Sequence, residues 1–278
     1  MEDNTTTHNY RKETQMKTLT VRATLLEEAL GMTPGTPEAF TKFLEFRKAK
    51  LGVKAAQISD DKSEEELKAL KFKVEEMKAD NTEASVDVFP IDPDTNNPVF
   101  WDYQIRGFFK DTMKALKDML AIKKGKEGED ETKTSALKKL SKMTVATVAS
   151  FSKMPATWVD RGVFVGPRKI QIEMPAGSKM GYCQRPLRVE KFPKDITSLK
   201  NSETVPAGSV IKFKVGILND ADEKYVLACL HYGFLRGFGE WRNSGKGRFK
   251  FDLWDGKQWV EQVPEFEQIF GFEDALPE

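Results

Sequence analysis

The stretch Gly237-Phe238-Gly239-Glu240-Trp241-Arg242-Asn243-Ser244-Gly245-Lys246-Gly247-Arg248-Phe249 puts four glycines into eleven positions. On its N-terminal side, Ala221 to Phe234 reads as a helix, with Tyr225, Ala228, Cys229 and Tyr232 recurring at i, i+3, i+4 and i+7. On its C-terminal side, Phe249-Lys250-Phe251 alternates apolar and polar residues as a strand does. The order helix, glycine loop, strand decides the reading of the fold. It excludes a P-loop, which needs four residues between its glycines, a hydroxyl after the lysine, and a strand-to-helix order. Here Gly239 and Gly245 are five residues apart, and Gly247 stands where the hydroxyl would be. A dinucleotide fingerprint fails too, since Arg242 occupies the position of its third glycine and no helix opens from the turn.

Elsewhere, Leu19 to Leu25 alternates as an opening strand, and Ala39 to Lys50 has helical character. Residues 61–80 form an amphipathic helix with a Ser63/Glu66 capping box and an apolar stripe of Leu67, Leu70, Val74 and Met77. Val86 to Pro90 and Val99 to Tyr103 read as strands, and Phe108 to Ala121 as a helix. Val163-Phe164-Val165 and Ile170-Gln171-Ile172 flank a Gly166-Pro167 turn, and Ser209 to Val215 is a strongly alternating strand. Each half of the chain thus reads as a βαβ-type unit with an antiparallel partner. The expected fold class is α+β: a ferredoxin-like (RRM-like) antiparallel sheet with helices on one face and a C-terminal glycine-rich loop. The expected organisation is a disordered arm over 1–16, one α+β domain over 17–256 with a mobile loop near 123–142, and an acidic aromatic tail over 257–278.

The 278 residues carry 44 Lys and Arg against 43 Asp and Glu, a net charge of +1, so any polyanion site is a local patch. Between 231 and 250, Arg236, Arg242, Lys246, Arg248 and Lys250 stand against the single acid Glu240. Trp241 and Phe238 add flat faces, and the Gly245 and Gly247 amides are candidates to approach a bound backbone. That combination suits single-stranded RNA running over the loop with a base against an aromatic ring. The bland alternative is a glycine turn that lets a strand cross a helix.

Here the residues meet a known pattern. His231 to Gly237, through the Gly-x-Gly-x5-Gly-x-Gly loop to Phe249-Lys250-Phe251, resembles the C-terminal glycine-rich loop of the RAMP superfamily, the ferredoxin-fold RNA-binding proteins of CRISPR systems. Ile105-Arg106-Gly107 to Leu116 is similar to that superfamily's turn and helix start after an early strand. The chain also resembles a group of phage and prophage proteins sharing the Trp241 to Phe249 ending. The resemblance implies single-stranded RNA binding, often in a repeating homo-oligomer along the RNA. The site residues are then Arg236, Gly237, Gly239, Trp241, Arg242, Ser244, Gly245, Lys246, Gly247 and Arg248, with Arg106, Lys110, Arg185 and Arg188 extending the track.

Catalysis would fall to His231, with Tyr232 or Lys246, since His8 lies in the polar arm. An endoribonuclease is therefore one rival reading. Another is an interaction protein that mimics a CRISPR subunit to block a host defence complex. Binding ranks above both, with no catalytic residue, cofactor or metal assigned. Cys183 and Cys229 lie 46 positions apart, which gives neither a zinc spacing nor a disulfide framework. Asp87, Asp92, Asp94 and Asp102 crowd one region but read as turn chemistry. No apolar run reaches transmembrane length, and the expected location is cytoplasmic, the host cytoplasm for a phage protein. Arg161, Arg168, Lys169, Lys179, Arg185 and Arg188 either extend the RNA track or protect a sheet edge. From Phe251 to Glu278 there are eight acids and one lysine, interleaved with aromatics; this tail docks on a neighbouring protomer or covers its own sheet.

Overall fold

The computed structural model describes residues 16–36, 41–42, 65–73, 86–121, 157–189 and 196–262. The chain is a mixed α+β protein with two antiparallel-rich sheets. Its main sheet uses β1 (Lys17–Leu25), β5 (Val99–Trp101), β6 (Val163–Gly166), β7 (Lys169–Glu173), β10 (Val210–Ile217), β11 (Phe249–Trp254) and β12 (Trp259–Gln262). Their order is β12-β11-β1-β10-β7-β5, with β6 also on β10, and every pairing is antiparallel. Two long helices cross it: α1 (Asp102–Ala121), and α3 (Glu223–Tyr232) between β10 and β11. A short α2 (Trp158–Gly162) leads into β6.

Alternation decides which face is covered. Val21, Ala23 and Leu25 of β1, Ile211, Phe213 and Val215 of β10, and Phe249 and Phe251 of β11 are buried in one core. That core also holds Ile105, Phe108, Phe109, Met113 and Leu116 of α1 with Val226, Cys229 and Leu230 of α3. Residues of opposite parity, including Thr20, Arg22, Thr24, Lys212, Lys214 and Lys250, stay outside it. Each fully buried Phe contributes about 1.5–3 kcal/mol, so the phenylalanine-rich centre dominates the packing.

The second sheet contains β2 (Ala29–Leu30), β3 (Thr33–Pro34), β4 (Val86–Val88), β8 (Gly181–Val189) and β9 (Ile196–Val205). Its order is β2-β9-β4-β3 with β8 along the other edge of β9, and β4 runs parallel to β9. Neither β8 nor β9 stands out in the sequence, because Lys200, Asn201, Ser202 and Glu203 interrupt any apolar pattern. Their charges are held by remote partners instead. Glu203 pairs with buried Lys73 at 2.7 Å and accepts from the Phe89 amide at 3.0 Å.

Several boundaries move. The helix expected from Phe108 begins at Asp102, and the strand before it stops at Trp101. Gln104 reaches back to accept from the Trp101 amide at 2.8 Å, and that local bond closes the first turn early. In the helical residues 65–73 the buried positions are Glu66, Ala69, Leu70 and Lys73; of the expected stripe Leu70 is buried, Leu67 is half-buried, and Val74 and Met77 lie outside the described residues. Glu66 pairs with Arg168 across the fold, while Ser63, its expected capping partner, lies outside the described residues. The expected tail boundary at 257 falls in the β11–β12 turn, and Trp259 to Gln262 pair with β11. The arm before Met16, the loop near 123–142 and residues 263–278 lie outside the described residues.

Candidate nucleic-acid interface

The glycine segment leaves α3 and lies where the two sheets meet. Three backbone bonds tie it to the β1–β2 connection. Leu26 donates to the Arg248 carbonyl at 2.7 Å, Gly247 donates to Glu28 at 2.8 Å, and Glu240 donates to Leu30 at 3.4 Å. Its anchor is Phe238, which is 1% exposed and stacks on Phe249 with centroids 4.2 Å apart and planes 6° apart. Phe100, Phe108 and Phe213 surround the same ring. Phe238 is therefore not a flat face for a base, contrary to the expectation from sequence. Its apolar ring has more to gain in the aromatic core than in water.

The glycines also have a packing reason. A Cβ on Gly237 would lie 1.7 Å from the Gly247 carbonyl oxygen, and one on Gly247 would lie 2.0 Å from that of Phe238. The two limbs of the loop touch backbone to backbone, closed by the Phe238 amide donating to Gly247 at 2.9 Å. The Gly245 and Gly247 amides, expected to meet a ligand, are used internally instead, by the Arg242 and Glu28 carbonyls. The crossing is so tight that its own amides close it.

Side chains remain at the rim. Trp241 sits in the left-handed region at φ 55°, costly for a non-glycine residue, and is 37% exposed. Ser244 fixes its carbonyl through Oγ at 2.9 Å and through its amide at 3.1 Å. Beside it the Glu240 carboxylate is gripped by Arg185 of β8 and by Lys200 of β9, the latter at 2.8 Å. The Arg185 guanidinium also lies 5.6 Å from the Trp241 ring centroid. Arg236 holds Asp111 of α1 at 2.5 Å, with Arg242 3.6 Å from the same carboxylate. Lys246 pairs with Glu28 at 2.6 Å and Arg248 with Glu27 at 3.1 Å.

The local count of five cations to one acid is thus revised. Around the loop, Arg185, Lys200, Arg236, Arg242, Lys246 and Arg248 meet Glu27, Glu28, Asp87, Asp111 and Glu240. The carboxylates come from distant segments. Their hydrogen bonds hold the Arg236 guanidinium and the Lys246 ammonium above their ordinary pKa values. For Lys200, burial pulls the pKa down, but Asp87 and Glu240 outweigh it and the net direction is up. Burial lowers that of Arg242, with Arg236 adding repulsion.

Of the outlying candidates, Arg185 joins the loop. Lys110 pairs with Asp160 on α2, while its neighbour Asp111 is the residue of α1 that reaches the loop. Arg106 lies half-buried on α1, and the Arg188 side chain is outside the described residues. Arg168 pairs with Glu66 and Asp102, and Lys169 with Asp92 at 2.8 Å. Asp87, Asp92 and Asp102 serve three different cations. His231 packs edge-on against Phe251 at 5.0 Å. Sequence reading missed Lys200 and Asp111, whose only signal is tertiary.

No protein-family model matches the chain, and no curated protein matches it. Among solved structures it is similar to a chain of the type III-B Cmr-beta complex bound to cognate target RNA, at 10% identity and a TM-score of 0.42. That match covers 89% of this chain and 61% of the other, so this chain spans about three-fifths of that protein's length. It is also similar to Cmr6 from Pyrococcus furiosus, at 11% identity and a TM-score of 0.38 over 89% of this chain and 98% of that one. Likeness at this level says nothing of what the present chain binds. Among the described residues no helix is long and apolar enough to cross a membrane.

Proposed function

We propose that the protein binds single-stranded RNA through the glycine loop, as a RAMP-type protein with a ferredoxin-like core. The path β1, α1, β6 and β7, β10, α3, β11 supports that core reading, because it interleaves two β-helix-β units in the order β11-β1-β10-β7. The observation that carries the function is Trp241. A large aromatic is held in a strained conformation, left partly in water, backed by Arg185, and carried on the same loop as Arg242, Lys246 and Arg248. Packing alone favours neither that exposure nor that φ, whereas a stacking platform among cations uses both. The internal ion pairs do not forbid a polyanion. Partly exposed pairs such as Arg248 with Glu27 are worth only about 0.2–1 kcal/mol, so phosphates can compete for them.

Arg242, Lys246 and Arg248 contact phosphates in this reading, and Trp241 stacks on a base. Arg185 braces the ring. The role is binding rather than cleavage, in the cytoplasm, as a homo-oligomer along RNA or within a host defence complex. The test is a titration of fluorescently labelled single-stranded RNA, followed by anisotropy at several salt concentrations. Arg242→Ala with Arg248→Ala is expected to weaken binding about 10–100-fold and to flatten the logarithmic salt slope by roughly 1.4. An unchanged affinity in the double variant would remove the loop from the site.

A further inference from the structure

We propose that Glu240 is a positioning residue, held by Arg185 and Lys200 so that it fixes the adjacent Trp241 as a one-sided stacking platform. That role rests on the function proposed above. Between 231 and 250 Glu240 is the single acid among five cations, and a carboxylate repels the polyanion such a site would hold. Its surroundings give it another task. The carboxylate is gripped by Arg185 of β8 and, at 2.8 Å, by Lys200 of β9. The Lys200 ammonium also pairs with Asp87 of β4 at 2.5 Å. Two cations and two carboxylates thus close on one another, and the charge of Glu240 is neutralised within the cluster.

The same Arg185 guanidinium lies over the Trp241 ring, 5.6 Å from its centroid, so two consecutive residues of the loop hold one planar group. Arg185 is 8% exposed, and its Nε has no hydrogen-bond partner among the described residues, which leaves Glu240 to fix the plane of the guanidinium. Trp241 is pinned on its other flank as well, where the Ser244 hydroxyl and amide hold its carbonyl at 2.9 and 3.1 Å. A non-glycine residue at φ 55° keeps that conformation only where its surroundings over-determine it. Here they do so twice, at the side chain through Glu240 and Arg185 and at the backbone through Ser244. One face of the ring is thereby covered by a cation, and the part of the ring left in water serves a single base on the other face.

The experiment uses the full chain labelled with 5-fluorotryptophan, the Trp241 fluorine line being assigned among the five tryptophans by Trp241→Phe. Binding of labelled single-stranded RNA is followed by anisotropy at several salt concentrations. In Glu240→Ala the Trp241 line is expected to shift and broaden while the other tryptophan lines stay in place. RNA should then bind roughly tenfold more weakly with an unchanged salt slope, because a stacked base is lost and no phosphate contact is. A Glu240 that acted only as an opposing charge would give the reverse sign, since its removal would tighten binding. Affinity that holds or rises in Glu240→Ala would therefore overturn the proposal, and so would an unmoved Trp241 line. If Glu240→Ala does not fold, Arg185→Lys tests the clamp from its other side, keeping a cation for Glu240 while removing the planar group from the ring. The same line shift and the same weakening are expected there, and their absence would overturn the proposal equally. A Trp241 line that moves in a protein whose unsubstituted form binds no RNA would keep the positioning and remove the RNA reading beneath it.

Discussion

At the scale of single residues, the loop separates into groups that hold it and groups that face outward. Phe238 holds it, and Phe238→Ala is expected to cost about 3–5 kcal/mol, read from the denaturant midpoint. Gly247→Ala belongs to the same group, since its Cβ would meet a carbonyl oxygen at 2.0 Å at a φ of +69°. It should destabilise by at least about 1–3 kcal/mol while leaving every charged side chain in place. Trp241 faces outward. Trp241→Ala should weaken RNA binding by about 1–3 kcal/mol, and Trp241→Gly should do the same without loss of folding stability, because glycine is at ease at φ 55°. If Trp241→Gly unfolds the protein as Phe238→Ala does, the ring is part of the core and not a platform. The cations and glycines of this loop were legible in the sequence. Their counter-charges were not, because Glu28 lies 218 positions from Lys246 and Asp111 lies 125 from Arg236. The burial of Phe238 was equally hidden, since one ring in a polar stretch gives no periodic signal.

At the scale of elements, strands with a clean period of two were readable. β1 and β10 each place three or more alternate residues in the core, and the turn between β6 and β7 lies at Gly166-Pro167. β9 was not readable, because pairing on both edges stabilises it more than its side chains do. The turn before β5 shows what such remote pairing means energetically. Burial pushes the Asp92 carboxyl up, but Lys169, the Asp94 amide and Thr95 outweigh it and hold its pKa below the ordinary value of 3.8. A lowered folded pKa means the stabilisation is complete above that value and is lost as pH falls through the folded one. The unfolding midpoint should therefore drop as the solution is acidified below about pH 4. Asp92→Asn should cost about 1–3 kcal/mol at neutral pH and flatten that acid slope. A variant that keeps the full slope would show that another carboxylate governs it.

At the scale of the whole molecule, the glycine loop belongs to neither sheet alone. The β1–β2 connection supplies Glu27 and Glu28, the β8–β9 pair supplies Arg185 and Lys200, and α1 supplies Asp111. A net charge of +1 over the chain conceals this arrangement, in which opposite charges meet at one junction. The central claim is that the junction holds RNA. The most direct measurement is what the purified protein carries: its 260/280 nm absorbance ratio, and the response of any extracted polymer to ribonuclease and deoxyribonuclease. The account predicts a ribonuclease-sensitive polymer that Arg242→Ala with Arg248→Ala removes. A protein that emerges free of nucleic acid and also ignores added RNA would contradict it, and the loop would then be architecture.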